Sequence, residues 1–218
     1  MIWDWDFAIG ILPSLLRGLR LTLIITFSAF GISLVLGLFV SVFRFLKIPV
    51  LSHLLNFYVS FIRGTPLLVQ AYMVFFVLPY YGVILDPVPT AIVVLGINYS
   101  AYIAEVFRSG IEQLAKGQWE AARALSLSTR RTWTRIVIPQ AIRPIIPVLG
   151  NYLIQMFKDS AILSAITVLE LLGTGLQIGS RTFRYLEPIT LVGLLFLAVS
   201  VPSSLLVRRL ERKYGTAH

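Results

Sequence analysis

Few residues in this 218-residue chain have the type and spacing that catalysis requires. Its only two histidines, His53 and His218, make no HExxH or other metal-binding pair, and His53 beside an apolar run reads as an interfacial residue. No GxxxxGK phosphate loop occurs, so ATP is not held by that mechanism, and no GxSxG elbow presents a serine nucleophile. The absence of cysteine excludes disulfides and thiolate metal sites. What remains is binding chemistry. Asn98, Tyr102 and Glu105 follow i, i+4, i+7 spacing and share one helical face. Lys158, Asp159 and Ser160 close a short apolar run, where a Lys/Asp pair could answer the carboxylate and ammonium of a zwitterion. Two blander assignments compete: Lys158 and Asp159 as an outer-interface pair, and Glu105 paired with Arg108 one turn on. Arg63-Gly64-Thr65-Pro66 reads as a kink and interface anchor, since proline removes a backbone bond.

These residues sit on membrane-length apolar elements. Hydrophobic residues make up 57% of the chain and charged residues only 13%, with a mean hydropathy of +0.83. A lipid-facing exterior accounts for that balance more simply than a soluble core. Arg20 to Arg44 encloses 23 uncharged residues, roughly 34 Å of helix and enough to cross a bilayer. Arg63 to Asp86 encloses 22, Asp86 to Glu105 encloses 18, and Glu187 to Arg208 encloses 20. A shorter run of 14 lies between Arg143 and Lys158, with Pro144 and Pro147 at its start. It reads as a short spanning helix with Arg143 snorkelling to the interface. Within 159–181, with Glu170 in its middle, a partly membrane-dipping helix ending at Gly173 or Gly175 is expected, and Gly175 and Gly179 form a single GxxxG match. The N-terminus, MIWDWDFAIG, carries acids and tryptophans where a cleavable signal would carry Lys or Arg.

The expectation is an all-α integral membrane protein of five transmembrane helices in one domain, 1–218. With the N-terminus outside and the C-terminus cytoplasmic, 14 of the 19 basic residues fall inside: Arg44, Lys47, Arg63, Arg108, Lys116, Arg123, Arg130, Arg131, Arg135, Arg143, Arg208, Arg209, Arg212 and Lys213. The net charge of +9 is therefore assigned to topology and lipid headgroups, not to nucleic acid. The same orientation makes the polar segment 117–139, GQWEAARALSLSTRRTWTRIVIP, a cytoplasmic connection between spans three and four. Residues 118–127 have the composition of a short helix, with Glu120 expected in its first turn. A break at Ser126–Ser128 precedes a second helix near Thr129 that carries Trp133, Ile136 and Val137. Charge and periodicity alone also allow an amphipathic hairpin holding phospholipid through Arg130, Arg131 and Arg135.

Glu120-Ala121-Ala122 followed by Ile136-Val137-Ile138-Pro139 resembles the EAA motif of ABC-importer permease subunits. The flanks SAYIAEVFRSGIEQLAKGQWEAARALSLS and IPQAIRPIIPVLGNYLIQMFKDSAILS, with FIRGTPLLVQ at 61–70, are similar to permeases for polar amino acids of the histidine, glutamine and arginine type. The resemblance spans about residues 15–212. It implies a multi-pass protein of the cytoplasmic (inner) membrane that is not an enzyme and holds no cofactor itself, ATP being bound by a partner. It implies cytoplasmic ABC ATPase subunits gripping Gly117, Glu120, Ala121, Ala122, Ser126, Ile136 and Pro139. It also implies an extracytoplasmic solute-binding protein, and an identical or homologous permease completing a dimer in membrane lipid. Asn98, Tyr102, Glu105, Lys158, Asp159 and Ser160 are the candidate solute pathway. Ser126 departs from the family, which usually has glycine there. If that turn needs a positive φ, serine is the costlier residue; serine also serves as a helix N-cap. A compatible-solute or opine-type substrate, or a nucleotide-independent channel or carrier, are the alternatives.

Overall fold

A computed structural model describes residues 3–214; the ends of the 1–218 domain, His218 included, lie outside the described residues. The first helix, α1 (Trp5–Phe45), opens on Asp4, whose Oδ1 accepts the Phe7 amide N–H at 3.1 Å. It runs unbroken through Pro13, Arg17 and Arg20. The first span is therefore much longer than the uncharged run 21–43. Arg17 and Arg20 are exposed while Leu15 and Gly18 are buried, so the arginines ride the outer face of a helix they do not terminate.

The second span is also not one straight helix. α2 (Pro49–Gly64) is followed by α3 (Leu67–Tyr72), which continues through a wide turn, Met73–Val77, and a tight turn, Leu78–Tyr81. The two arms meet at 104°. Thr65 is extended (φ −114°, ψ 140°) because the residue before proline is pushed out of the helical region, and Pro66 then caps α3. Arg63 lies at this bend, next to the last residue of α2.

After an extended stretch at 83–86 come α4 (Pro87–Glu112), α5 (Lys116–Ala124) and α6 (Thr129–Thr132), then a wide turn, Trp133–Val137, leading into α7 (Ile138–Asp159). Pro144 and Pro147 are inside α7, so the fourth span is a 22-residue helix and not a short one. A tight helical turn, Ser160–Ile166, follows, then α8 (Leu171–Thr182) and α9 (Leu186–Tyr214). Among the described residues, four helical segments are long and apolar enough to cross a membrane, or five if the bent pair counts as one span.

The expected helix through Glu170 is corrected. Thr167 is left-handed (φ 64°), the chain turns, and Glu170 becomes the N-cap of α8. Its carboxylate accepts the Gly173 N–H at 2.7 Å and the Leu172 N–H at 2.9 Å, while the Leu171 N–H reaches Thr22 Oγ1 at 3.0 Å. A fully buried acid is thus matched to the orphan amides of a helix start. Gly173, Gly175 and Gly179 sit inside α8; side chains at the last two would strike Val192 and Tyr185.

α1 and α4 form the central pair and run in the same direction. Gly96 meets Ala29 and Ile32, and Gly37 meets Ser100 and Ile103, so the two backbones approach closely. α7 and α9 run antiparallel, with Gly150 against Val207 and the Phe157 and Phe196 rings 5.1 Å apart. Ile25, Ala29, Leu95, Tyr99, Met156, Leu163 and Ile166 form the largest buried cluster. Phe27, Val35, Phe39, Leu194, Leu197 and Leu205 point outward, as a hydrocarbon solvent permits. Beyond α8, Arg184 bridges Asp4 and Glu187 at 3.1 and 2.6 Å, clasping the starts of α1 and α9.

Candidate functional site

The α2–α3 bend is held open by side chains. Thr65 Oγ1 donates to the Phe61 carbonyl at 2.9 Å, back-bonding the end of α2. Gln70 Nε2 lies 2.9 Å from the Ile62 carbonyl and 2.7 Å from Thr65 Oγ1, and Gln70 Oε1 accepts from Asn98 Nδ2 at 3.1 Å. These bonds replace the backbone pairs that Pro66 removes, and tie the bend to α4. Tyr58 adds a second tie, its hydroxyl 2.6 Å from Ser100 Oγ.

Between the bend, α4 and α7 lies a cavity of about 550 Å³. The bend lines it with Arg63 to Leu67, α4 with Asn98, Tyr99 and Tyr102, and α7 with Tyr152, Gln155 and Asp159. On α7 the spacing from Tyr152 to Gln155 to Asp159 is i, i+3, i+7, one helical face. The rings of Tyr99, Tyr102 and Tyr152 cluster with centroids 5.9 to 6.1 Å apart. The Arg63 guanidinium lies 5.3 Å from the Tyr102 ring centroid. Tyr99 donates to Asp159 Oδ2 at 2.6 Å, and Asp159 Oδ1 has no protein donor among the described residues. The cavity therefore offers one cation, one anion with a free oxygen, two amides and aromatic faces. Such a set suits a small zwitterion or polar solute.

Of the sequence-derived pathway residues, Asn98, Tyr102 and Asp159 line this cavity. Glu105 does not. It joins Arg44 of α1 at 2.5 Å and Arg108 at 2.6 Å, while Arg44 Nε donates to Asn56 of α2 at 2.7 Å and Arg108 continues to Glu112 at 2.7 Å. This ladder ties the end of α1 to the middle of α2 and the last two turns of α4. Lys158 is exposed, away from the cavity, and buried Ser160 spends its hydroxyl on the Phe157 carbonyl at 2.7 Å. Sequence reasoning missed Tyr99, Tyr152 and Gln155, and treated Arg63 and Thr65 as part of a kink and interface anchor. The α7 residues were findable by the face arithmetic that had found Asn98 and Tyr102.

At the far end of α4 and α7 sits the compact unit 116–139. Trp133 packs edge-on against Trp119 at 5.5 Å and against Phe45 at 5.0 Å, fastening α5 to the turn before α7 and to the end of α1. Gln140 Nε2 donates to Gln118 Oε1 at 3.1 Å. Gly117, Glu120 and Ala121 are exposed, Ala122 is buried, Ile136 is half-buried, and Pro139 is exposed at the start of α7. Glu120 is the fifth residue of α5 and falls outside the first turn in which it was expected. Leu125 projects with 71% of its surface exposed. The unit is a small platform held together by aromatic packing, with Leu125 as its most exposed apolar side chain.

Its turn is a Schellman cap. Ser126 has φ +50°, its N–H bonds the Arg123 carbonyl at 2.9 Å, and the Leu127 N–H bonds the Ala122 carbonyl at 3.0 Å. Ser126 is therefore the left-handed residue just past the C-cap Leu125 of α5; the N-cap position before α6 belongs to Ser128. Ser126→Gly is expected to stabilise this unit by about 1 kcal/mol, since glycine lacks the left-handed penalty. Slower amide exchange at Leu125 to Leu127 would register it; faster exchange would contradict it.

Residues 31–216 match the family described as binding-protein-dependent transport system inner membrane component. A probable amino-acid ABC transporter permease of Sinorhizobium fredii is 44% identical over 213 residues, covering 94% of this chain and 92% of that one. The glutamine transport system permease GlnP of Escherichia coli K12 is 34% identical, with 98% of each chain covered. A crystal structure of an amino acid ABC transporter with histidines superposes with a TM-score of 0.93 at 35% identity, covering 98% of this chain and 100% of that chain. A MetNI methionine ABC transporter in an inward-facing form shares the fold, at a TM-score of 0.72 and 22% identity.

Proposed function

This chain belongs to the binding-protein-dependent transport inner membrane component family, and from that premise we propose how it works as the permease subunit of an ABC importer. It is a multi-pass protein of the inner membrane, and its family implies ATPase and solute-binding partners. The solute is a polar amino acid, and the cavity at the α2–α3 bend is its midpoint station. The cavity is the observation that carries this reading: Arg63 answers a carboxylate, Asp159 an ammonium, and Asn98, Gln155 and the tyrosines the remainder. One wall is the break of a bent span, where membrane transporters tend to hold solute, and α4 and α7 supply the others.

The N-terminus and the 82–86 loop face outside and the 116–139 platform faces the cytoplasm, in agreement with the bias of basic residues. Two ATPase subunits engage Gly117, Glu120, Ala121, Ala122, Ser126, Ile136 and Pro139 of each permease. A second permease, identical or homologous, closes the open side of the cavity. The binding protein delivers solute to the outer face, where Tyr80 and Tyr81 are exposed. The chain itself holds no cofactor; ATP stays on its partners. Glu105 acts beside the pathway, bracing α1, α2 and α4.

Proteoliposomes holding the permease with its ATPase, and charged with the cognate binding protein, are expected to accumulate polar amino acids only with internal-face ATP. Uptake by the permease alone, without nucleotide, would replace this reading with a passive carrier.

A further inference from the structure

Arg44 and Phe45, the last two residues of α1, reach different parts of the molecule. The Phe45 ring packs edge-on against Trp133 of the 116–139 platform at 5.0 Å, and Trp133 packs against Trp119 of α5 at 5.5 Å. Arg44, its side chain only 16% exposed, donates from Nε to Asn56 Oδ1 of α2 at 2.7 Å and pairs with Glu105 of α4 at 2.5 Å. One guanidinium thus holds two helices at once, as its planar fork of donors allows. Stability alone is a poor reason for it. Glu105 already has Arg108 at 2.6 Å, and a second, mostly buried cation adds desolvation cost for little gain.

Both arms of Arg44 lead to the same place. On α2, Asn56 and Arg63 are i, i+7 and share a face; on α4, Tyr102 and Glu105 are i, i+3 and do likewise. Arg63 and Tyr102 meet in the cavity, the guanidinium 5.3 Å from the ring centroid. The contacts run from the platform through Phe45 to Arg44, divide along α2 and α4, and rejoin where the solute would sit. A second route bypasses Arg44: Tyr58 with Ser100, and Gln70 with Asn98, also join the bend to α4.

We propose that Phe45 and Arg44 form a relay carrying movement of the cytoplasmic platform to the α2 wall of the solute cavity, with Arg44 as its positioning residue. The relay rests on the coupling and solute-site roles proposed above. Chains of packed and hydrogen-bonded side chains between rigid helices transmit movement when they act on an element with two arrangements. That element is the α2–α3 bend, two arms at 104° joined through the extended Thr65. A pull on Asn56 turns α2 about this joint and shifts Arg63 against Tyr102, changing what the solute carboxylate meets.

The chain contains no cysteine, so an introduced one reports a single wall. Gly64→Cys marks the bend, where a Cβ meets open space, and Gln155→Cys marks α7, which continues directly from the platform. Maleimide labelling of each is compared with and without ATP in the transporter reconstituted with its ATPase and binding protein. ATP should change the labelling rate at both. Adding Arg44→Gln should cut that change at least about fivefold at Gly64→Cys and preserve it at Gln155→Cys, with ATP hydrolysis retained. Glu105 keeps Arg108 in this variant, so no buried acid is stranded. Should R44Q fail to fold, Phe45→Ala, at a half-exposed ring, interrupts the same path and should give the same split. Asn56→Ala added to Phe45→Ala should cost nothing further, because the two act in series. A full response at Gly64→Cys in the R44Q and F45A backgrounds would overturn the relay and assign the bend to its Ser100 and Asn98 ties. Loss at both reporters would make Arg44 a general folding or docking residue and overturn it too. No ATP effect at Gly64→Cys before any relay substitution would overturn the relay alone; none at either reporter would overturn the coupling role of the platform as well.

Discussion

Glu120→Lys is expected to leave the protein inserted and folded while ATP-driven uptake falls at least tenfold. The side chain is exposed on α5 and makes no ion pair or side-chain hydrogen bond among the described residues. Reversing its charge therefore removes nothing that holds this subunit together. A loss of function must then arise at a partner. A like charge placed at a docked interface costs several kcal/mol, enough for a tenfold or greater loss of productive coupling. The ATPase subunits should go on hydrolysing ATP in the variant complex, or dissociate from it, while a melting curve of the permease stays near wild type. Ala122→Leu is the contrast: Ala122 is buried, and its enlargement should lower the melting temperature itself. Wild-type uptake in Glu120→Lys proteoliposomes would remove the 116–139 platform from the coupling path.

The platform was the most legible part of the chain because its signals are local. A break near Ser126, a helix restart near Thr129 and a polar insert between apolar runs are all set by neighbours within about ten residues. Even the odd serine declared itself, as the structure carries the positive φ that a glycine-preferring position demands. Elements shaped by distant contacts were harder to see. Arg17 and Arg20 look like the end of a span, yet α1 continues past them because Leu15 and Gly18 on the opposite face dock on α8. Pro144 and Pro147 look like helix breakers, yet α7 absorbs both, because packing against α4 and α9 supports its backbone where bonds are lost. Glu170 was the clearest failure. An acid amid apolar residues was placed in the middle of a membrane-dipping helix, whereas it caps a new one through the Leu172 and Gly173 amides, and Thr22, 148 residues away, completes its burial. The cavity at the α2–α3 bend fell between these cases. One wall was readable from i, i+4 spacing on α4, but the bend that supplies Arg63 depends on Gln70 and Asn98 meeting across helices.

Asp159 carries the second large effect, and two substitutions separate its charge from its shape. Asp159→Asn keeps an oxygen that can accept from the Tyr99 hydroxyl, so the Tyr99 and Tyr152 rings hold their places, but the negative charge is gone. Asp159→Ala removes both. A hydrogen bond to a charged group contributes about 1.5–3 kcal/mol, about tenfold to a hundredfold in affinity. If Asp159 receives the solute ammonium through its free Oδ1, both variants should lose uptake by about that factor, with binding-protein-stimulated ATP hydrolysis preserved because the platform is untouched. If Asp159 serves only to hold Tyr99, asparagine should restore uptake and alanine should not. A solute lacking the ammonium sharpens the distinction. It should be handled poorly by wild type and lose little more in Asp159→Asn, since the interaction deleted is one it never made. Near-wild-type uptake of the natural amino acid by Asp159→Asn would withdraw Asp159 from recognition and leave Arg63 as the one charged group the cavity offers a zwitterion.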